Sequence, residues 1–378
     1  MEQKVFFDDE LKNIISVVVG TRPGIIKFSP VIRALTEEKM DFFVIHTGQH
    51  YSYNMDKQFF EDLELPEPKY KNEVVQRAIL HGEQTAEMIK EMEKAFIQEK
   101  PKIVIVGGDA NTNLAGALAA RKLRIKVAHM EAGLRSNDWR MPEEHNRVMI
   151  DHISEYLFTP TEETKRNLIG DNVKGEIVVV GNTIVDAVHQ NLGLAKNKSC
   201  ILENLNIKQN EYFLATAHRE ENVDNQEILK EILESFTLIS REYNIPIIFP
   251  IHPRTKKRLK EFNLKEETDK ISMLKITDPV GYLDFLKLMA KAKLVLTDSG
   301  GIQEETCILK VPCVTLREST ERPETVEVGG NIIAGTQPNK VFECVNLMLK
   351  KKKDWENPFG EGNTGKKIAK YLLKSLGQ

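Results

Sequence analysis

Short apolar runs rich in β-branched residues alternate with helical patterns along most of this 378-residue chain. In the first half, most runs lead through a polar or glycine-bearing turn into a segment of helical period; they are 14–19, 42–45, 103–106, 125–128 and 177–180. Strands that are continuously apolar are typical of a parallel sheet covered by helices on both faces. The repeat therefore predicts a doubly wound α/β domain.

A second series of apolar runs follows a polar stretch at 192–199. Its members are 212–215, 247–249, 271–274, 294–296 and 314–316, with helical patterns between most of them. We predict an N-terminal Rossmann-like domain at 13–192 and a C-terminal one at 193–360. A C-terminal helix is predicted at 361–378, and its packing back on the first domain stays open.

Composition supports two globular domains and excludes several classes of protein. A hydrophobic content of 41% over this length is enough for two cores, and the net charge of -3 disfavours general binding to nucleic acid. No apolar run is long enough to span a bilayer, and the acidic N-terminus differs from a signal peptide. The four cysteines lack metal-ligand spacing and are expected to be buried free thiols. We expect a cytoplasmic protein without a nucleic-acid or membrane partner.

The segment 294–305 predicts an anion site where a strand passes into a helix. Ser299 is a suitable N-cap, and Gly300 and Gly301 leave the first backbone NH groups of the helix uncovered. Such a helix N-terminus favours a phosphate or diphosphate. Glu305 falls about a turn and a half into the helix, where its carboxylate could accept hydrogen bonds from two ribose hydroxyls. The alternative is a tight turn whose glycines only allow close packing.

Polar loops follow five further strands, and ligands collect at the carboxyl ends of parallel strands. The loops begin at Gly20, Gly107, His129, Thr216 and Ile251. Two such domains face to face would place these loops around one cleft. No Gly-x-Gly-x-x-Gly follows a strand, so a dinucleotide redox cofactor is not indicated.

Three acids from these loops and from the following helix are candidates for proton transfer. They are Asp109, Glu131 and Glu143. Glu143 and its neighbour Glu144 lie in the first turn of a predicted helix, so stabilisation of the helix dipole alone is the alternative explanation for them.

The motifs of the chain resemble those of the non-hydrolysing UDP-N-acetylglucosamine 2-epimerases, in order from Gly20 to Glu324. They are Gly20-Thr-Arg-Pro with a following Ile-Lys27, Thr47-Gly-Gln-His50, Gly108-Asp109, His129-Met-Glu-Ala-Gly-Leu-Arg135, Pro142-Glu-Glu-His-Asn-Arg147, Gly181-Asn-Thr-Ile-Val-Asp186, Thr216-Ala-His-Arg219, His252-Pro253, Ser299-Gly-Gly-Ile-Gln-Glu-Glu305 and Thr320-Glu-Arg-Pro-Glu324. The resemblance implies an α/β, GT-B-like fold of two doubly wound Rossmann-type domains, with the active site in the cleft between them. It also implies interconversion of UDP-GlcNAc and UDP-ManNAc by a homodimer, without a metal or any other cofactor.

The same resemblance implies roles for individual residues. The C-terminal domain would bind UDP, and the UDP-binding set would be Arg22, His218, Ser299, Gly300, Gly301 and Glu305, with Lys27, Arg135, His252 and Arg322 as further substrate-binding residues. The catalytic set would be Asp109, Glu131 and Glu143 together with His218. Gln49 and His50 match a segment that contributes to a regulatory UDP-GlcNAc site in bacterial relatives.

The chain departs from the family pattern at three places. Gly24 stands where the family usually has Glu, Ala110 replaces a customary Thr, and 75–81 lacks the usual Gly- and Ser-rich loop.

The expected reaction eliminates UDP to give 2-acetamidoglucal and then adds UDP back. The alternatives are a sibling epimerase of a UDP-diacetamido-uronate sugar, which the Thr21 form of the first motif disfavours, a hydrolysing epimerase, a GT-B glycosyltransferase and a non-catalytic sensor of UDP-sugars.

Overall fold

A computed structural model describes residues 10–48, 53–71 and 80–377. The chain divides into two compact units, one formed by the residues up to Ala187 together with those from Phe359 on, and one formed by Val188–Pro358. Each unit contains one parallel β-sheet flanked by helices, so the prediction of two doubly wound α/β domains is confirmed.

The first unit is built on a seven-stranded sheet in the order β3-β2-β1-β4-β5-β6-β7. Its elements are β1 (Lys12–Val19), α1 (Arg22–Glu37), β2 (Phe42–His46), α2 (Tyr53–Asp62), β3 (Tyr70–Lys71), α3 (His81–Glu99), β4 (Pro101–Gly107), α4 (Asn111–Lys122), β5 (Lys126–Met130), α5 (Pro142–Ile153), β6 (Tyr156–Thr159), α6 (Glu162–Gly170), β7 (Glu176–Val179) and the first residues of α7 (Thr183–Lys198), a helix that continues into the second unit. The central strands β1, β4 and β5 are buried over most of their length, as expected for mainly apolar strands that helices cover on both faces.

The second unit is built on a six-stranded sheet in the order β10-β9-β8-β11-β12-β13. Its elements are α8 (Ile201–Asn204), β8 (Phe213–Thr216), α9 (Glu220–Val223), α10 (Gln226–Tyr243), β9 (Ile247–Pro250), α11 (Pro253–Glu261), α12 (Lys265–Asp269), β10 (Leu274–Thr277), α13 (Tyr282–Lys291), β11 (Leu294–Thr297), α14 (Gly300–Ile308), β12 (Cys313–Thr315), α15 (Pro323–Glu327), β13 (Asn331–Ile333) and α16 (Pro338–Lys350). Its core combines the sheet with α10 and α16.

The order of strands reverses once in each sheet. In the first sheet β1 lies between β2 and β4, and in the second β8 lies between β9 and β11. At such a switch point the loops after the two central strands diverge to opposite sides of the sheet and leave a crevice, which is where ligands bind in open α/β folds. The switch points therefore lie after β1 and β4 in the first unit and after β8 and β11 in the second.

The last helix, α17 (Thr364–Ser375), packs against α1 and belongs to the first unit. The carboxylate of Asp186 on α7 accepts hydrogen bonds from the backbone NH groups of Thr364 at 3.2 Å and Gly365 at 3.1 Å. A Cβ atom on Gly365 would lie 2.6 Å from the carbonyl oxygen of Pro30, so the absence of a side chain allows α17 to approach α1 closely.

Several elements differ from the sequence-based expectations. The polar stretch 192–199 lies almost entirely within helix α7, and the division between the units falls at Ala187, earlier than the expected 192. The strand predicted at 271–274 begins only at Leu274, because this edge strand is partly exposed and lacks a continuous apolar run. Cys200 is exposed, whereas Cys307, Cys313 and Cys344 are buried free thiols as expected. In the ranges that the structure describes, no helix is long and apolar enough to cross a membrane.

Candidate active site

A pocket of about 90 Å³ lies at the switch point of the first sheet. The loop after β1 and the start of α1 form one side, and the loops after β4 and β5 form the other. Three of the predicted site residues line it together: Lys27, Asp109 and Glu131. Gly24 and Ala110, two of the departures from the family pattern, line it as well.

Glu131 is held by its backbone and by a cation. Its φ of 62° lies in the left-handed region, which for a residue other than glycine costs on the order of 1 kcal/mol or more. The Nζ atom of Lys27 lies 2.7 Å from one carboxylate oxygen of Glu131 and 2.9 Å from the other. Strain of this kind persists where the surrounding structure imposes it, and it is concentrated at functional sites.

Helix α5 positions Asp109 through two side chains of the 142–147 motif to which the sequence-based prediction assigned no role. Arg147 forms an ion pair with the Asp109 carboxylate, and Asn146 Nδ2 donates to the Asp109 carbonyl at 2.8 Å. Asn146 also donates to Asn111 Oδ1 at 2.9 Å, so both ends of the 109–111 loop are attached to α5. The helical period places residues 146 and 147 on the side of α5 that faces this loop, but only tertiary structure shows that they reach it.

The two adjacent acids of α5 have different environments. Glu144 is buried and accepts hydrogen bonds from the backbone NH and hydroxyl of Ser136, at 2.9 and 2.8 Å, and pairs with Arg147 at 2.8 Å. Burial alone would raise the pKa of Glu144, but these hydrogen bonds and the charge of Arg147 hold it below its ordinary value. Glu143 is exposed on the first turn and does not line the pocket with Asp109 and Glu131.

Arg135 and Arg22 already have partners within the first unit. The guanidinium of Arg135 is bonded to Asp151 at 2.7 Å and to Asp171 at 2.9 Å, and its side chain is only 8% exposed. Arg22 begins α1 and places its guanidinium 5.8 Å from the centroid of the Phe59 ring. Gln49, His50 and most of the 75–81 segment lie outside the described residues.

At the switch point of the second sheet, the buried carboxylate of Asp298 connects two loops. It accepts hydrogen bonds from the backbone NH groups of His218 at 2.7 Å and Arg219 at 2.8 Å. The Nδ1 atom of His218 lies 3.0 Å from the other oxygen of Asp298, and the imidazole is 36% exposed. Burial alone would raise the pKa of Asp298, but the hydrogen bonds and the charge of His218 lower it below its ordinary value.

His252 lies beside His218 at the same edge of the sheet. The ring centroids are 5.4 Å apart, and His252 Nδ1 accepts the backbone NH of Arg254 at 3.2 Å, so that it caps α11. Burial, followed by the charges of His218 and Arg254, lowers the pKa of His252. His252 is therefore a neutral neighbour of His218 near pH 7.

The N-terminus of α14 has the form predicted from the sequence, with one difference. Ser299 is the N-cap residue, but its side chain makes no capping hydrogen bond. Gly301 is exposed, and a Cβ atom there would meet no other group within 4 Å. Glu305 is 8% exposed, and Arg322 Nε lies 2.8 Å from Glu304 on the same helix.

Among the described residues, no group of three or more His, Cys, Asp or Glu side chains is placed to hold a metal ion.

Two parallel-sheet α/β units with polar loops at their switch points define a GT-B-type protein, and comparison with known proteins supports this class. A crystal structure of UDP-GlcNAc 2-epimerase from Methanocaldococcus jannaschii, in complex with UDP-GlcNAc and UDP, superposes with a TM-score of 0.83 at 56% identity and covers 96% of this chain and 99% of that one. The family model for UDP-N-acetylglucosamine 2-epimerase matches residues 33–373. This chain belongs to the UDP-N-acetylglucosamine 2-epimerase family.

Curated relatives include more than one activity within this family. The UDP-N-acetylglucosamine 2-epimerase of M. jannaschii is 56% identical over 361 residues, which cover 95% of this chain and 98% of that protein. The UDP-2,3-diacetamido-2,3-dideoxy-D-glucuronate 2-epimerase of Pseudomonas aeruginosa is 38% identical over 366 residues, covering 95% of this chain and 99% of that protein. Membership of the family therefore does not by itself define the substituents of the sugar substrate.

Proposed function

We propose that this protein interconverts UDP-GlcNAc and UDP-ManNAc without releasing a free sugar. The observation that carries the proposal is the pocket in which Lys27 accompanies two carboxylates, Asp109 and Glu131, that come from different loops. Two carboxylates beside one sugar ring can remove a proton from one face and return it to the other. The 56% identity with an epimerase whose crystal structure contains UDP-GlcNAc and UDP supports the choice of substrate.

The C-terminal domain binds the UDP moiety in this proposal. The uncovered NH groups at the start of α14 donate hydrogen bonds to the diphosphate, and the exposed Gly301 lets the backbone approach it closely. Neither packing nor a positive φ requires glycine at position 301, so a ligand is a physical reason for its small size. The carboxylate of Glu305, a turn and a half along the helix, accepts hydrogen bonds from the ribose hydroxyls.

The reaction breaks two bonds in the forward half. The C2 proton of the sugar is not next to a carbonyl group, so direct removal by a carboxylate is too slow. When the C1–O bond breaks, its electron pair leaves with UDP, and the positive charge that builds at C1 acidifies the C2 proton. A carboxylate takes that proton, and the product is 2-acetamidoglucal beside bound UDP. Return of a proton to the opposite face of C2 and re-addition of UDP at C1 complete the epimerisation.

Some of the proposed site residues stabilise the negative charge of the departing UDP, and others transfer protons. Each well-placed donor to the departing diphosphate lowers the barrier by about 3 kcal/mol, as in an oxyanion hole. Arg22, His218 and the 299–301 turn are the proposed donors, and the Asp298 carboxylate beside Nδ1 orients the ring of His218 so that Nε2 can donate. Asp109 and Glu131 are the proposed proton-transfer groups, and Glu143 is retained as a third.

A second candidate substrate is the UDP-diacetamido-uronate sugar of the P. aeruginosa relative. The higher identity with the M. jannaschii enzyme, 56% against 38%, favours UDP-GlcNAc. We further propose a homodimer that acts in the cytoplasm and supplies UDP-ManNAc for a surface glycan. Light scattering of the purified protein tests the dimer.

The deciding experiment incubates the purified protein in heavy water with UDP-GlcNAc alone and follows all products by NMR. We expect UDP-ManNAc as the minor component at equilibrium, deuterium at C2 of both nucleotide sugars, and slow leakage of UDP and 2-acetamidoglucal. Free ManNAc as the main product would instead identify a hydrolysing epimerase. A folded protein that binds UDP but gives neither epimer nor label would refute the proposal. The same assay with a UDP-diacetamido-uronate sugar tests the sibling activity.

A further inference from the structure

One buried histidine of the first unit has an acceptor at each ring nitrogen. His129 lies on β5 and is completely buried. Its Nδ1 atom is 2.7 Å from Asp151 Oδ1, and its Nε2 atom is 3.1 Å from the carbonyl oxygen of Gly108. A carbonyl oxygen can only accept, so Nε2 must carry a proton. The hydrogen bond between Nε2 and the Gly108 carbonyl therefore has a defined direction.

The partner at Nδ1 is an ionised carboxylate in a fixed position. Asp151 is fully buried, and it also accepts the backbone NH of Gly133 at 3.2 Å and a hydrogen bond from Arg135 at 2.7 Å. Burial alone would raise the pKa of Asp151, but the charges of His129 and Arg135 lower it below its ordinary value. The carboxylate therefore stays charged and sets the orientation of the imidazole.

The partner at Nε2 is the peptide that immediately precedes Asp109. The Gly108 carbonyl belongs to the peptide bond between Gly108 and Asp109, and the Gly108 NH donates to the Met130 carbonyl at 3.1 Å. A Cβ atom on Gly108 would lie 3.2 Å from Glu131 Oε2, so this peptide runs directly against the Glu131 carboxylate. Gly108 has a φ of 80°, a conformation that glycine adopts readily and that the two hydrogen bonds hold.

We propose that His129 is a positioning residue that fixes the Gly108–Asp109 peptide and thereby sets the separation of Asp109 and Glu131. His129 does not touch the substrate and acts through the backbone. The inference rests on the proposed function, because it assumes that these two carboxylates transfer protons on opposite faces of the sugar. It goes further by explaining how carboxylates from two separate strands keep one geometry.

Two substitutions separate this role from simple stabilisation of the fold. The amide nitrogen of glutamine reaches about as far as Nε2 of histidine, so His129→Gln retains a donor to Gly108. The amide nitrogen of asparagine matches Nδ1, so His129→Asn retains a donor to Asp151 and loses the one to Gly108. A displacement of about 1 Å at reacting groups costs about 100-fold in rate. We expect kcat to fall about 100-fold in His129→Asn and no more than about 10-fold in His129→Gln.

The partition of the C2 label provides a readout that loss of folded protein does not alter. In heavy water, the acid that returns a hydrogen to C2 carries deuterium. The label appears in recovered UDP-GlcNAc when deuterium is added to the original face of C2, and in UDP-ManNAc when it is added to the opposite face. The ratio of the two initial labelling rates is independent of the amount of active enzyme. We expect this ratio to change in His129→Asn and to stay near that of the unsubstituted protein in His129→Gln, with UDP affinity unchanged in both.

Opposite results would overturn the proposal. Equal kcat values in the two variants, a better His129→Asn than His129→Gln, or an unchanged labelling ratio in His129→Asn would each show that His129 only stabilises the fold. Nitrogen-15 NMR of the unsubstituted protein tests the hydrogen bond to Gly108 directly, whatever the stability of the variants: Nε2 of His129 must carry a proton, and an unprotonated Nε2 contradicts the proposal. If the unsubstituted protein neither epimerises nor labels its substrate, the proposed function itself fails.

Discussion

Two glycines at the sites show different physical reasons for lacking a side chain. A Cβ atom on Gly20 would lie 2.1 Å from Thr112 Oγ1 and 2.3 Å from Thr47 Oγ1, whose hydroxyl groups are hydrogen-bonded to each other at 2.8 Å. A Cβ atom on Gly301 would meet nothing within 4 Å. Gly20 is therefore required by packing in the protein, whereas the need for Gly301 comes from the proposed ligand.

Alanine at these two positions should affect different properties. Gly20→Ala forces two buried threonines apart, and overpacking of this kind lowers the free energy of unfolding by about 1–3 kcal/mol. Gly301→Ala should leave stability unchanged or raise it slightly, because alanine favours helix, but it should weaken UDP binding. Urea unfolding and calorimetry with UDP measure both effects. Gly193→Ala, within α7 and with open space at its Cβ, is the control for both. Unchanged UDP affinity in Gly301→Ala would contradict the proposed diphosphate site.

The carboxylates of the pocket should affect turnover and not nucleotide binding. Asp109→Asn and Glu131→Gln are nearly isosteric, so each should retain UDP affinity while kcat falls by about two orders of magnitude or more. Steady-state kinetics and calorimetry with UDP measure the two quantities. Glu163→Gln, on the exposed first turn of α6, is the matched control. Normal turnover in both pocket variants would exclude the proposed proton transfer.

At the scale of elements, the sequence predicted the strands that lie at the centre of each sheet. Buried strands such as β1, β4 and β11 are continuously apolar because helices cover both of their faces. The sequence did not reveal β3, β6 or β13. The edge strands β3 and β13 have only two and three residues, too few side chains to show a pattern, and β6 is a buried strand of only four residues. The end of helix α7 was also not recognised, because its last turn carries Lys196, Asn197 and Lys198.

The sequence likewise predicted the site residues that follow central strands, and it did not predict those that depend on tertiary contacts. Loops that follow central strands converge at a switch point, so the sequence predicted that Asp109 and Glu131 lie close together, and the structure has both in one pocket. Arg147 and Asp298 were not predicted as site residues, because their contacts connect segments 38 and 80 residues apart. Such pairings depend on tertiary packing and leave no local pattern in the sequence.

Two adjacent acids at the start of α5, Glu143 and Glu144, should contribute differently to stability and turnover. Glu144 connects the 136–137 loop to α5, so Glu144→Gln should lower the free energy of unfolding by about 1–3 kcal/mol as buried donors lose a charged acceptor. The neighbouring Glu143→Gln should leave stability unchanged because Glu143 is exposed, while turnover should fall if this residue is the third acid. Thermal unfolding and kinetics of the two variants test both statements. Equal loss of stability in the two would contradict the structural role of Glu144.

At the scale of the whole molecule, buried carboxylates make the stability of both units depend on pH. Asp151 in the first unit and Asp298 in the second each have a pKa below the ordinary value. The folded state then binds fewer protons than the unfolded state, so the stabilisation is complete above the ordinary pKa of about 4 and is lost as the pH falls through the folded value. Asp186, whose pKa is raised by burial, opposes this trend.

We therefore expect the melting temperature to fall as the pH is lowered from about 5 towards 3. Asp298→Asn should lower the melting temperature at pH 7 and reduce this dependence, because asparagine does not titrate. Thermal unfolding at several pH values, followed by circular dichroism, measures both. A steeper decline in Asp298→Asn than in the unsubstituted protein would show that other groups dominate acid unfolding.

The position of α17 has a consequence for the order in which the two units can form during synthesis. The second unit, Val188–Pro358, is contiguous, and all of its residues emerge from the ribosome before Phe359. The first unit begins earlier but lacks α17 until residues 364–375 have been translated, so the hydrogen bonds from Thr364 and Gly365 to the Asp186 carboxylate cannot form before then. During that interval the surface of α1 that α17 will cover remains open to chaperones and proteases. The domain that is begun first in translation is thus the one completed last.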